Sequence, residues 1–182
     1  MGNIWESLSV GIISGLISGL LSSLIMQIIT RINKPRIKIS DQIACKKNDS
    51  GENEYRFKIV NLSRSYAKNM LVLAELVNVT NDGSGTVSKV SPLTLARDDI
   101  RIIKPYSNNN DNKDYAIRFR LLENLEKVWV DAEHTHVQIT VYCEKERSGV
   151  GKVFEKKYYR RDIIQGSFIT GKSTEISEQT RT

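Results

Sequence analysis

The stretch 7-SLSVGIISGLISGLLSSLIMQIIT-30 holds 24 consecutive uncharged residues. Wound as a helix rising ~1.5 Å per residue it reaches about 36 Å, against about 30 Å of bilayer hydrocarbon. It is long enough to cross a membrane with some tilt. A secretory leader has a basic start and a small-residue cleavage site; this start carries Glu6 and no Lys or Arg, and no Ala-x-Ala follows. The segment therefore reads as a retained anchor, 1–35, with Trp5 suited to the outer interface. Arg31, Lys34, Arg36 and Lys38 flank only its C-terminal side, so the positive-inside rule predicts an outside N-terminus and a cytoplasmic remainder.

Within the span, Ser7, Gly11, Gly15, Gly19 and Ser23 recur every fourth position and lead to Gln27. This spacing places small residues along one helix face, where they let two backbones approach closely. Gly11, Gly15, Gly19 and Ser23 are the expected helix–helix contact. Ser14, Ser18, Ser22 and Gln27 are weakly polar groups that would line an axis shared by several copies. A single span per chain means that any polar lumen needs a homo-oligomer.

Outward from the anchor, Lys34-Pro35 breaks the helix and period-2 alternation begins. In 36-RIKISDQIACKK-47, Ile37, Ile39, Ile43 and Cys45 share one face while Lys38, Ser40, Gln42 and Lys46 share the other. Similar runs lie at 55-YRFKIVNL-62, 69-NMLVLAELVNV-79, 86-TVSKVSPLTL-95, 115-YAIRFRLL-122, 126-EKVWVDA-132, 136-HVQITVYCEKE-146 and 152-KVFEKKYYR-160. Turn-forming clusters at 49–51, 81–85, 108–112 and 148–151 separate several of them. Roughly eight short strands predict a mainly β fold, a β-sandwich or barrel over 36–170. From Gly171 to Thr182 the chain lacks aromatics and is rich in Ser, Thr and Glu, the composition of a disordered tail.

The chain has 27 Lys+Arg against 21 Asp+Glu, a net charge of +6, which favours anionic partners. Its two cysteines, Cys45 and Cys143, exclude both a disulfide-stapled fold and a Cys-rich metal site. Cations are densest at 156-KKYYRR-161. There Lys156, Lys157, Arg160 and Arg161 interleave with Tyr159, a mixture suited to phosphate pairing and base stacking. Arg118 and Arg120 fall on one strand face opposite Ile117, Phe119 and Leu121, and Arg97, Arg101 and Lys104 add to the field. The other reading of these charges is a solvated face or attraction to anionic lipid headgroups.

No catalytic site, metal site or cofactor is expected. The string 166-GSFITGKS-173 matches the phosphate-loop pattern, yet too few residues follow to build the helix and strands that such a loop serves. His134 and His136 stand two apart beside Asp131 and Glu133, but a metal site needs three or four converging ligands and no further His exists to complete it, so the pair reads as chance near a strand end. The reading is therefore a non-enzyme.

A single-pass anchor feeding a β domain, with 57-FKIVNLSRSYAKNMLV-72 and 158-YYRRDIIQGSF-168 near its two ends, resembles the membrane effectors of bacterial Hailong antiphage defence systems. The resemblance implies an inner-membrane protein whose helices assemble a tetrameric, channel-like complex. It also implies that an anionic oligonucleotide, made by a companion nucleotidyltransferase, binds the cytoplasmic domain and holds it inactive until infection removes it and the membrane depolarises. The alternative is a membrane-anchored scaffold or adaptor whose β domain binds a protein or lipid headgroups.

Overall fold

The computed structural model describes residues 2–81, 83, 85–107, 113–129 and 134–177. The chain divides into two compact units, 1–34 and 35–182. The first is α1 (Gly2–Ile32), whose segment Ser9–Ile32 is long and apolar enough to span a membrane. Its described side chains from Ser9 to Ile32 are exposed within the chain. Ser14 Oγ donates to Gly11 O at 3.0 Å and Thr30 Oγ1 to Met26 O at 2.8 Å, so these hydroxyls are satisfied by their own helix.

The second unit is mainly β, two five-stranded sheets packed face to face, as the alternation predicts. In the first, β3 (Asn53–Asn61) is flanked on one side by β1 (Ile37–Ile39) and β2 (Ile43–Lys47), and on the other by β7 (Ala116–Leu121). A parallel strand, β10 (Ile163–Gln165), completes it beside β2. In the second, the long β4 (Ala67–Asn81) pairs β5 (Thr86–Leu93) and β6 (Asp99–Ile103) along one edge and β8 (Thr135–Lys145) along the other. Strand β9 (Gly151–Tyr158) follows outside β8.

The inward faces share one core. Phe57 and Phe119 stack at 5.3 Å, and Tyr55, Ile59, Val137, Ile139 and Val141 from both sheets are buried around them. Burying a side chain of this size contributes about 1.5–3 kcal/mol, which is why a two-residue period decides each strand's orientation. Asn61 ties the sheets at their end, donating to Ser65 O and Lys104 O, each at 3.0 Å, and accepting from Ser63 N.

Several expectations are corrected. The run 36–47 is two strands, because Ser40 is buried rather than outward: its N–H donates to Lys58 O, its hydroxyl to Gln42 O, and its carbonyl accepts from Tyr158 Oη at 2.7 Å. Where a strand was expected at 126–132 there is α2 (Leu125–Val128), started by Asn124, whose side chain accepts from Glu126 N. Strands β6, β10 and the hairpin of β11 (Ser167–Phe168) with β12 (Ile176–Ser177) have no counterpart among the alternating runs. That hairpin corrects the disordered tail too: residues 171–177 are ordered against the first sheet, while 178–182 lie outside the described residues. So do the turn at 108–112, Asp131 and Glu133.

Candidate anion-binding site

On β3 and β7 the residues between the core positions point to the outer face of the first sheet. Antiparallel register sets Arg56 opposite Arg120 and Lys58 opposite Arg118. Like charges facing one another destabilise a strand pair, and each pair is relieved differently. Glu54 pairs with Arg56 and lies 3.9 Å from Arg120 Nε. The second pair is covered by backbone instead. Lys58 Nζ donates to Ile169 O at 2.7 Å and Ser173 O at 2.6 Å, while Arg118 Nη2 donates to Phe168 O at 2.7 Å and contacts Thr170 Oγ1 at 3.4 Å.

The covering segment, 166–177, is a strap tied to β2 at Gly166 and closed on itself as a hairpin. Gly166 N donates to Cys45 O, Ile169 N to Glu175 O, and Phe168 is buried beneath. Gly171 has φ +97°, and a Cβ there would sit 3.3 Å from Lys113 Cδ and 3.4 Å from Tyr115 Oη. Glycine is what lets the strap turn this close to the sheet. Beyond it, Lys172 Nζ rests 4.8 Å from the ring centre of Tyr106, which packs edge-on against Tyr115 at 5.1 Å. The phosphate-loop lookalike is thus a bend between two short strands, with Lys172 turned onto an aromatic ring.

Beneath and beside the strap lies a cleft of about 510 Å³, lined by Lys58, Arg97, Lys113 and Arg118. Ile100, Ile102, Ala116 and Ile117 supply an apolar lining, and Thr170 and Gly171 a wall. Among the described residues its one lining carboxylate, Asp114, is engaged by Lys104 Nζ at 2.8 Å. Among the described residues, none of the four cations has a carboxylate within ion-pair distance. Lys58 is only 1% exposed. Burial first, then Arg118 and Lys113, pull its pKa from 10.5 to about 8. A buried ammonium answered only by carbonyls is costly, so the cleft is poised to accept negative charge.

The residues expected at β9 sit elsewhere. Lys156 Nζ pairs with Asp41 at 2.6 Å, and Lys157 is exposed on the second sheet. Arg160 and Arg161 lie in a 3-10 turn, Arg160–Asp162, with the Arg161 guanidinium 5.3 Å from the Tyr159 ring centre and its Nε 4.0 Å from Asp162. Tyr159 also meets the ring of His136 at 5.8 Å. Of the seven residues expected to bind ligand, Arg118 alone lines the cleft, and Arg120 is a neighbour on the same strand. Lys58, Lys113 and Thr170 were missed. Lys58 was legible as an outward position on an alternating strand, but its cover comes from residues more than a hundred positions away.

On α1, a Cβ added at Gly11, Gly15 or Gly19 meets open space within the chain. Ser18, Ser22, Ser23 and Gln27 are likewise exposed there, while Ser14 is the hydroxyl bonded to Gly11 O. His136 is buried, and burial followed by Lys157 holds its pKa below the ordinary value. Among the described residues no cluster of metal-ligating side chains forms. Both cysteines are buried free thiols, and burial pushes Cys143 up to about 12, far from a reactive thiolate.

These features define a β-sandwich with an N-terminal apolar helix and a basic cleft. No protein-family model and no curated protein matches the chain. Among solved structures it is similar to Spo0M, a sporulation control protein from Bacillus subtilis, at 9% identity and a TM-score of 0.34. The match covers 69% of this chain, which spans about half (48%) of that one.

Proposed function

We propose that the protein is a homo-oligomeric bacterial membrane effector of antiphage defence, in which an anionic oligonucleotide bound to the β domain controls a channel-like assembly. The observation that carries this reading is a cleft whose four cations have no carboxylate partner among the described residues, in a chain whose other unit is an apolar helix of membrane-spanning length. The helix inserts with its N-terminus outside and the β domain in the cytoplasm, in keeping with the basic residues after it. Copies associate, as a tetramer by resemblance, through Gly11, Gly15, Gly19 and Ser23. Ser18, Ser22 and Gln27, with Ser14, then face the shared axis and tolerate water better than Leu or Ile.

The oligonucleotide, supplied by a companion nucleotidyltransferase, takes the place of missing counter-charges in the cleft. Only residues 33–36 join α1 to β1, so a displacement of the first sheet passes into the helix with little slack. Removal of the ligand would then open the assembly and depolarise the cell.

Ion flux from liposomes holding the full chain tests this. Expected is leakage that a short single-stranded DNA suppresses and that Gly15→Leu or Gly19→Leu abolishes together with the oligomer seen by native mass spectrometry. Flux that no ligand or variant alters would leave an anchored scaffold or adaptor instead.

A further inference from the structure

The cleft differs from surfaces that follow a nucleic acid strand. Strand-tracking sites are elongated basic grooves in which aromatic rings stack successive bases. Here the described lining contains no Phe, Tyr or Trp, and about 510 Å³ is room for one nucleotide-sized group. Into that space face Lys58, Arg97, Lys113 and Arg118, and Asp114, the one carboxylate of the described lining, is already engaged by Lys104. So many cations around a single small volume call for more charge than one backbone diester brings. A diester carries one negative charge, whereas a terminal phosphomonoester carries about 1.5 to 2 at pH 7 and three acceptor oxygens. The isoleucines offer a surface for the attached sugar and base, and the strap walls one side at Thr170 and Gly171.

We propose that the cleft is an end-group site: it receives the terminal phosphomonoester of a nucleotide or short oligonucleotide, with Lys58, Arg118, Lys113 and Arg97 around the phosphate. This rests on the reading of the cleft as the oligonucleotide site and names which part of the ligand it reads. Lys58 has donors committed to Ile169 O and Ser173 O, and an ammonium has three. One therefore remains for a phosphate oxygen while the strap stays in place.

The test uses the full chain in detergent and internally labelled hexathymidylate in three forms: 5′-phosphorylated, 3′-phosphorylated and with both ends hydroxyl. Fluorescence anisotropy should show one phosphorylated form binding about ten-fold or more tightly than the hydroxyl form, the worth of one charge-assisted hydrogen bond. Thymidine monophosphate should compete and thymidine should not. Lys113→Gln with Arg97→Gln, both on the cleft rim, should close the gap, while Arg120→Gln outside the cleft should leave it. Circular dichroism reports whether each variant is folded. Equal affinity for all three forms would overturn the end-group site and leave strand binding intact. Binding of none would overturn it together with the oligonucleotide reading.

Discussion

The segment 156-KKYYRR-161 packs four cations into six residues, whereas the cleft draws its cations from β3, from β7, and from the stretches before β6 and β7. The first cluster is dispersed by its own geometry. Lys156 turns to Asp41, and Arg161 stacks on Tyr159 beside Asp162. The second converges because antiparallel register puts Lys58 and Arg118 side by side and the strap shuts solvent away from Lys58. Charge density along a chain measures what solvent must hydrate; only folding decides where charge is left uncompensated.

The adjacent tyrosines 158 and 159 sharpen that comparison most strongly. Tyr158 is wholly buried and donates to Ser40 O at 2.7 Å, whereas Tyr159 is 39% exposed. Tyr158→Ala should cost about 3–5 kcal/mol in urea unfolding, and Tyr158→Phe about 1 kcal/mol. Tyr159→Ala should stay within about 1 kcal/mol. Equal losses for the two alanine variants would mean that the β9 end is more tightly built than its exposure implies.

Ligand binding separates the clusters next. Replacing Lys113 and Arg97 together should weaken binding of a phosphorylated oligonucleotide at least about 10-fold, the worth of losing even one charge-assisted bond of about 1.5–3 kcal/mol. Lys157→Ala with Arg161→Ala should change it less than about three-fold, in line with exposed ion pairs. The reverse order in a titration at fixed salt would move the site to β9.

A smaller effect follows from Lys58. Its folded pKa of about 8 lies below the ordinary 10.5, so between these values the unfolded chain holds a proton that the folded one has lost. Stability should therefore rise with pH across that window, while phosphate affinity, which needs the ammonium, falls. Arg118, Lys113, Arg97 and Asp114 are the charged groups that face it in the cleft, and the strap presents only carbonyls and Thr170. Urea midpoints at several pH values should show this slope in the wild type and lose it in Lys58→Met. Topology gives the finest readout: both native thiols are buried, so an exposed Asp49→Cys is the proper target. An impermeant maleimide should label it only after the inner membrane is opened.

The alternating runs that became β3, β4, β7 and β8 were legible because a half-buried strand must alternate, and Phe57, Phe119 and Ile139 all lie where the period places them. Strands β10 to β12, two or three residues each, are too short to show a period. The segment 126-EKVWVDA-132 alternates as a strand would, but the Asn124 cap starts a helical turn there. Composition alone made the tail look disordered. What orders its described part is backbone: Ser173 O accepts from Lys58 and Glu175 O from Ile169 N, and every residue carries that acceptor. The site was half legible for the same reason: Arg118 could be read from its strand, its covered partner could not.

The parallel pairing of β10 with β2 joins Ile163 to Ile43, about 120 residues apart. During synthesis β2 leaves the ribosome early and waits for almost the entire domain before its outer neighbour exists. The first sheet thus stays open at that edge until residues 163–165 are made, and closing so distant a contact is slow. The strap over Lys58 and Arg118 is completed later still, so a nascent or prematurely ended chain exposes those cations uncovered.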